Sequence, residues 1–406
     1  MLKKFTVENY KNLQIKDDLE FNPKLNIFIG PNNSGKSNLI DGMNFWADLL
    51  KVGVQQSLFK RNFKTIPNCY GEDREIYFRW TISIREFLDL TYVLRTHIPE
   101  RDYHDNYDIS FESLKCATTT SEEEIPFQRI SQKAGVLGFS PMNVRKDKSF
   151  KFRNLEPKES MLNQIDLLYD IKGLKKFYPI IYETFKSIRS YFEYWKYYPM
   201  ADIPISNIKS YSRLRGEEKF VNKHCDNFAN VVRVIFPKYP SFKLQYFEYL
   251  RKFMPIDYMD YEIVGDRDVN LFIMVKDKRF ELNELSDGTA RLLLLLFILC
   301  SPEKPKVLFI DEPELNIHPA WLRVLSNVIR DRSHHVQIFL STHSPELLDP
   351  MTELVMNGEA NVYVFDRDGN IKPLSLNEEL RQFVKDGWEL GDLYRVGDPV
   401  IGGWPW

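Results

Sequence analysis

The stretch Gly30-Pro31-Asn32-Asn33-Ser34-Gly35-Lys36-Ser37 constrains this chain more than any other feature. It fills the pattern GxxxxGK[ST], follows the apolar segment LNIFI, and precedes apolar residues at helical spacing, Leu39, Met43, Trp46 and Leu50. Strand, glycine-rich turn and helix in that order form the context in which the pattern cradles phosphate. The glycines let the backbone curl, so that its N–H groups and the helix N-terminus face an anion. Lys36 is expected to reach the outer phosphate oxygens of a nucleotide and Ser37 to ligate Mg²⁺, with Asn32, Asn33, Ser34 and Asn38 completing the loop. An ordinary glycine-rich turn is the competing reading, and the flanking strand and helix argue against it.

Three further motifs follow in a fixed order. Val307-Leu308-Phe309-Ile310-Asp311-Glu312 is a buried strand with two acids at its tip. Asp311 suits a metal held through water, and Glu312 suits the orientation and deprotonation of an attacking water. Upstream, Leu285-Ser286-Asp287-Gly288-Thr289 opens a helix 25 residues before Asp311, counted from Ser286. Ser286 reads as a helix N-cap, and the same serine, glycine and helix end can meet a phosphate. Downstream, Phe339-Leu340-Ser341-Thr342-His343 ends a strand on a histidine 31 residues after Glu312. Each of the three has a bland alternative: a solvated strand end, a plain helix start, a structural histidine. Their order after a complete phosphate loop favours the nucleotide reading, with ATP and Mg²⁺ as the bound groups.

The set GPNNSGKS, LSDGT, FIDEPELNIHP and LSTHSPELL resembles the prokaryotic AAA/ABC-type ATPases related to OLD proteins and to the RecF/SMC-like branch. The opening FTVENYKNLQ is similar to that branch's first strand and turn, and DNFANVVRVIF (226–236) to the segment before its second lobe. The resemblance covers about 1–50 and 220–370. It implies an α/β fold, a P-loop NTPase of ABC/SMC-head type with two lobes and a mainly helical insertion. It also implies a head-to-tail homodimer in which Ser286 and Gly288 act in trans, while Lys36, Ser37, Asp311, Glu312 and His343 act in cis. Glu314 to His318 becomes the D-loop crossing that interface. The Q-loop glutamine cannot be placed; Gln128, Gln132 and Gln164 are weak candidates.

The expected organisation is 1–85 and 241–370 as the two parts of the head, 86–240 as the helical insertion, and 371–406 as a tail. The insertion is rich in Tyr, Phe and Lys and carries no catalytic motif. Full OLD proteins add a Toprim nuclease, and the 37 residues after Gly369 are expected to be too few for one. Asp366 and Asp368 read as a hairpin turn rather than a Toprim DxD. The tail GWELGDLYRVGDP reads as a docking or capping segment.

Composition sets the remaining bounds. The 406 residues are 43% apolar and 28% charged, the range of a globular protein with two or three domains. Net charge is −2, so contact with nucleic acid has to come from a local patch. The best patch is Arg145, Lys146, Lys148, Lys151 and Arg153 around Phe150 and Phe152, with a solvated hairpin as the alternative. The four cysteines, Cys69, Cys116, Cys225 and Cys300, lack zinc spacing and read as free thiols in a cytoplasmic protein. No apolar run reaches membrane-spanning length. The expected function is an ATP-hydrolysing switch controlling a separately encoded effector, a nuclease or toxin of antiphage defence. The alternative is a RecF/SMC-like ATPase that binds DNA in repair or chromosome maintenance. A transporter subunit fits worse, because EPELNIHP replaces a transporter-like D-loop.

Overall fold

The structure, a computed structural model, describes residues 1–61, 75–85, 88–97, 108–118, 127–131, 134–139, 148–153, 156, 158–160, 162–164, 179–367 and 369–403. The chain divides into two compact units, one of residues 1–23, 32–195 and 365–371, the other of 24–31, 196–364 and 372–406.

The first unit is built on an antiparallel sheet. Its strands are β1 (Leu2–Tyr10), β2 (Leu13–Glu20), β4 (Glu75–Arg85), β5 (Leu88–His97), β6 (Asp108–Thr118), β7 (Phe127–Ser131), β8 (Ala134–Phe139) and β9 (Lys148–Arg153), in the order β2-β1-β4-β5-β6-β7-β8-β9. Alternation explains the strands: Ile76, Phe78, Trp80 and Ile82 of β4 are buried, as are Leu90, Tyr92 and Leu94 of β5. Helices α1 (Lys36–Lys60) and α2 (Pro179–Glu193) also belong to this unit. Trp46 of α1 stacks on Tyr92 with ring centroids 4.3 Å apart and meets Phe192 of α2 at 4.2 Å. The expectation of a mainly helical insertion is corrected here. Its described part from 88 to 153 is strand, with apolar residues such as Leu90, Tyr92 and Leu94 at a period of two, and its described helices follow residue 178.

The second unit holds a mixed six-stranded sheet ordered β10-β15-β16-β3-β17-β18. Its strands are β3 (Leu25–Ile29), β10 (Trp195–Pro199), β15 (Val307–Asp311), β16 (Gln337–Ser341), β17 (Ala360–Phe365) and β18 (Ile371–Pro373). Strands β15, β16, β3 and β17 run parallel, and β3, β15 and β16 are buried along their whole length. Apolar runs without alternation require cover on both faces. Around the sheet lie α3 (Ile205–Lys209), α4 (Phe228–Lys238), α5 (Pro240–Arg251), α6 (Asp287–Cys300), α7 (Pro319–Ser333), α8 (Pro345–Leu348), α9 (Thr352–Met356), α10 (Glu378–Lys385) and α11 (Leu390–Val396). A second, antiparallel sheet joins β11 (Ser212–Arg213), β13 (Asp268–Val275), β12 (Tyr258–Val264) and β14 (Lys278–Glu281).

Helix α6 is the centre of this unit. Every residue from Ala290 to Leu299 is buried, so the helix is apolar all round, as a helix enclosed in a core must be. Truncating one of its leucines to alanine costs about 2–5 kcal/mol. Its one buried charge, Arg291, donates to the carbonyls of Met200 at 2.6 Å and Ile203 at 3.1 Å. The tail is part of the same core through Leu390, Leu393 and Tyr394. Among the described residues no helix is long and apolar enough to cross a membrane.

Candidate functional site

The phosphate loop begins where β3 ends. Gly30 has φ 147°, a backbone conformation that a side chain disfavours, and Gly35 has φ 108°. In the first unit, a Cβ on Gly35 would lie 2.9 Å from the side-chain atoms of Asn12, in the β1–β2 turn. Asn12 in turn accepts from Asn38 Nδ2 at 2.8 Å and donates to the Asn33 carbonyl at 3.4 Å. Asn33 is left-handed at φ 64°. The start of α1 is thereby clamped to the β1–β2 turn. Lys36 is 4% exposed, and the Ser34 hydroxyl is buried with no hydrogen-bond partner. Ser37, Asn32 and Asn33 are exposed. A buried, unpartnered hydroxyl within a glycine-rich loop at a helix start is a group that a phosphate oxygen would satisfy, so the loop fits its expected ligand.

Deeper in the first unit, α1 is anchored by charge. Arg61 donates to Asp41 at 2.9 Å and Asp48 at 2.7 Å, and Lys11 pairs with Asp41 at 2.9 Å. The Tyr10 hydroxyl also donates to Asp41. Burial alone would disfavour the Arg61 charge, but Asp41, Tyr10 and Asp48 outweigh it and hold the guanidinium strongly protonated.

In the second unit the carboxyl ends of three parallel strands lie side by side. Asp311 is in register with Ser341, and Ser341 with Phe28 one residue before Ile29. The Ser341 hydroxyl donates to Asp311 Oδ1. Glu312 adopts φ 54°, a left-handed backbone that costs roughly 1–2 kcal/mol outside glycine. Its N–H points at Ser341, 3.2 Å from the carbonyl and 3.1 Å from the hydroxyl, which holds that turn. The result places the Glu312 carboxylate 3.4 Å from His343 Nε2, each side chain 29% exposed.

Glu314 carries the next layer. Its Oε1 accepts from Thr342 Oγ1 at 2.9 Å and from the His343 N–H at 2.7 Å, while Oε2 is buried without a partner. Burial pushes its carboxyl up, against the pull of those hydrogen bonds. The loop continues through Asn316, left-handed at φ 60°, to the N-cap His318. Ser286 caps α6 by accepting from the Thr289 N–H at 3.2 Å and is exposed, as is Asp287. Lys209 fixes the entry to this helix by donating to the Leu285 carbonyl at 2.6 Å and to Asp287 at 2.7 Å.

Each motif is therefore where its strand or helix context predicted. Within the second unit the structure brings together Asp311, Glu312 and His343, and Gly288 with the 314–318 loop. Gln164 does not behave as a coupling glutamine: its side chain is consumed by the backbone of Glu156, Glu159 and Ser160. The side chain of Gln128 and all of Gln132 lie outside the described residues, as do Cys69, Asp368, Arg145, Lys146 and the side chains of the basic cluster on β9. Asp366 does form a turn, with its backbone N–H bonded to the Asn370 carbonyl at 3.1 Å. Sequence reasoning missed Asn12, Ser341 and the carboxylate role of Glu314. All three sit inside motifs already noticed, and their signal was a polar residue at a strand end or turn where a charge needs a partner. It also missed Tyr394, whose hydroxyl is raised by burial and bonded to the Gly30 backbone.

A family model described as "AAA domain, putative AbiEii toxin, Type IV TA system" matches residues 137–349. The DNA replication and repair protein RecF of Phocaeicola vulgatus is 49% identical over 86 residues, 19% of this chain and 23% of that protein. The chain thus matches under a quarter of that relative's length. An ATP/GTP phosphatase of Helicobacter pylori is 22% identical over 385 residues, 87% of this chain and 88% of that protein. Among solved structures, the SMC head bound to the C-winged helix domain of ScpA superposes with a TM-score of 0.51 at 11% identity, covering 94% of this chain and 99% of that one. The fold is therefore that of a P-loop NTPase of the SMC-head type. With more than half of its length matched by the family model, the chain belongs to this AAA-domain family.

Proposed function

We propose that the protein is an ATP-hydrolysing switch that dimerises head to tail and controls a separately encoded effector. The observation that carries the reading is the 3.4 Å approach of Glu312 to His343 at the ends of two adjacent parallel strands. Glu312 is the general base for the attacking water, a role worth roughly 10²–10⁴ in rate. His343 stands beside it, able to hydrogen-bond the transferring phosphoryl group and to report whether it is present. Lys36 and the 30–35 backbone bind the phosphate chain. Ser37 in its loop and Asp311 at its strand end are each of the type that would ligate Mg²⁺, and the metal would neutralise charge on the phosphate oxygens.

Ser286 and Gly288 lie at an exposed, capped helix N-terminus, suited to the phosphates of a nucleotide on a second copy. ATP then favours the closed pair and hydrolysis the open one. The H. pylori relative's name supports nucleotide phosphatase chemistry. The family description, with its toxin and toxin–antitoxin terms, supports a place in prokaryotic defence. The test is turnover of ATP by the purified chain with and without Mg²⁺, together with mass spectrometry of what co-purifies from its native operon. An absence of turnover under all conditions contradicts the reading.

A second reading, direct DNA binding in repair, is favoured by the RecF match. It requires that duplex DNA bind at low salt or stimulate hydrolysis. If neither occurs, it fails.

A further inference from the structure

Away from the motifs, the second unit contains a cavity of about 330 Å³ between the N-terminal part of α5, the C-terminal end of α6 and the C-terminal end of α7. Arg332 lines it and is only 7% exposed, and its Nε and Nη2 are buried without any hydrogen-bond partner. Lys304, His335 and Ser241 also line it and are exposed, so they form the open side, with the guanidinium behind them. The one acid in the lining, Asp331, is drawn toward Arg330 at 3.5 Å. Cys300 offers no counter-charge, because burial pushes its thiol up to about 12.

A buried guanidinium without a partner is costly, and native proteins rarely leave one so. Three basic groups facing one space repel each other: Lys304 foremost, then burial and Arg332, hold His335 below its ordinary value. An anion in the cavity removes both penalties. Guanidinium groups recognise tetrahedral oxyanions through paired N–H bonds, and the space exceeds what a single phosphate fills. We infer that this cavity is a second anion site, built around Arg332, for the phosphate group of a small phosphorylated compound or for free phosphate.

The full chain carrying Lys36→Ala removes the main phosphate cation of the loop and so isolates the cavity. Inorganic phosphate and ribose 5-phosphate serve as probes, read by calorimetry and by the His335 ring resonances. Both are expected to bind one per chain, shifting His335 and raising its pKa. Tighter binding of the sugar phosphate identifies an ester as the ligand, and equal binding identifies phosphate itself. Arg332→Met is expected to fold, to keep ATP turnover in the otherwise native chain, and to weaken probe binding by about tenfold or more. Should that variant fail to fold, Lys304→Met at the surface is expected to weaken binding several-fold. A His335 signal that ignores both probes, or binding that survives Arg332→Met and Lys304→Met unchanged, overturns the inference.

Discussion

A Cβ placed on Gly288 would come within 2.2 Å of the Asn316 carbonyl oxygen. The start of helix α6 and the 314–318 loop therefore touch, backbone to backbone, and only glycine permits it. Gly288→Ala must displace that loop. The expected result is a loss of about 1–3 kcal/mol in stability, the usual cost of overpacking, with hydrolysis falling much more than nucleotide binding. Thermal unfolding and nucleotide titration of the variant check both parts.

Glu312→Gln keeps the shape of the side chain and removes the carboxylate proposed as the base. ATP binding is expected to persist while turnover drops by about 10²–10⁴. The closed dimer is expected to accumulate with ATP, as read by light scattering. Normal turnover by this variant removes Glu312 from the role.

Glu314 satisfies two donors through one oxygen. Glu314→Ala leaves the Thr342 hydroxyl and the His343 N–H unpaired, at a cost of about 2–3 kcal/mol. Glu314→Gln retains an acceptor for both and is expected to cost under half as much. Equal losses in urea unfolding of the two variants contradict this account.

Asp349 titrates in the opposite sense to a salt-bridged acid. Burial, with Glu389 and Asp392 nearby, raises it from 3.8 to about 6, and the 3.7 Å contact to Arg395 offsets this only in part. The folded state therefore binds the proton more tightly than the unfolded chain. Its contribution to stability is full below about pH 4 and is lost as pH rises through 6. Asp349→Asn is expected to be more stable than the native chain at pH 7.5 by about 1–2 kcal/mol, with the gap narrowing as pH is lowered through 6. A gap independent of pH refutes the assignment.

How much of this was legible in the sequence follows from how local each signal is. The phosphate loop, the Val307–Asp311 strand and the Ser286 cap are each specified within about eight residues, and each fell where expected. The insertion was misread because its aromatic residues suit helix and strand alike. What decided for strand was a partner far along the chain: Trp80 pairs with Tyr92 across β4 and β5, and both pack on Trp46. The left-handed turn at Glu312 had no sequence signal, since it exists only because Ser341 from the neighbouring strand receives its N–H. Tyr394 was invisible for the same reason: it acts on a loop it does not adjoin in sequence.

The claim beneath the proposed function is that one copy supplies the phosphate loop and another the Ser286 helix end. Lys36→Ala and Ser286→Arg, each inactive alone, are mixed in equal amounts and assayed for ATP turnover. A symmetric two-site dimer predicts recovery to about a quarter of the native rate, since half the dimers carry one intact site. A mixture no more active than its two components, beside a native chain that turns over at full rate when diluted to a monomer, contradicts it.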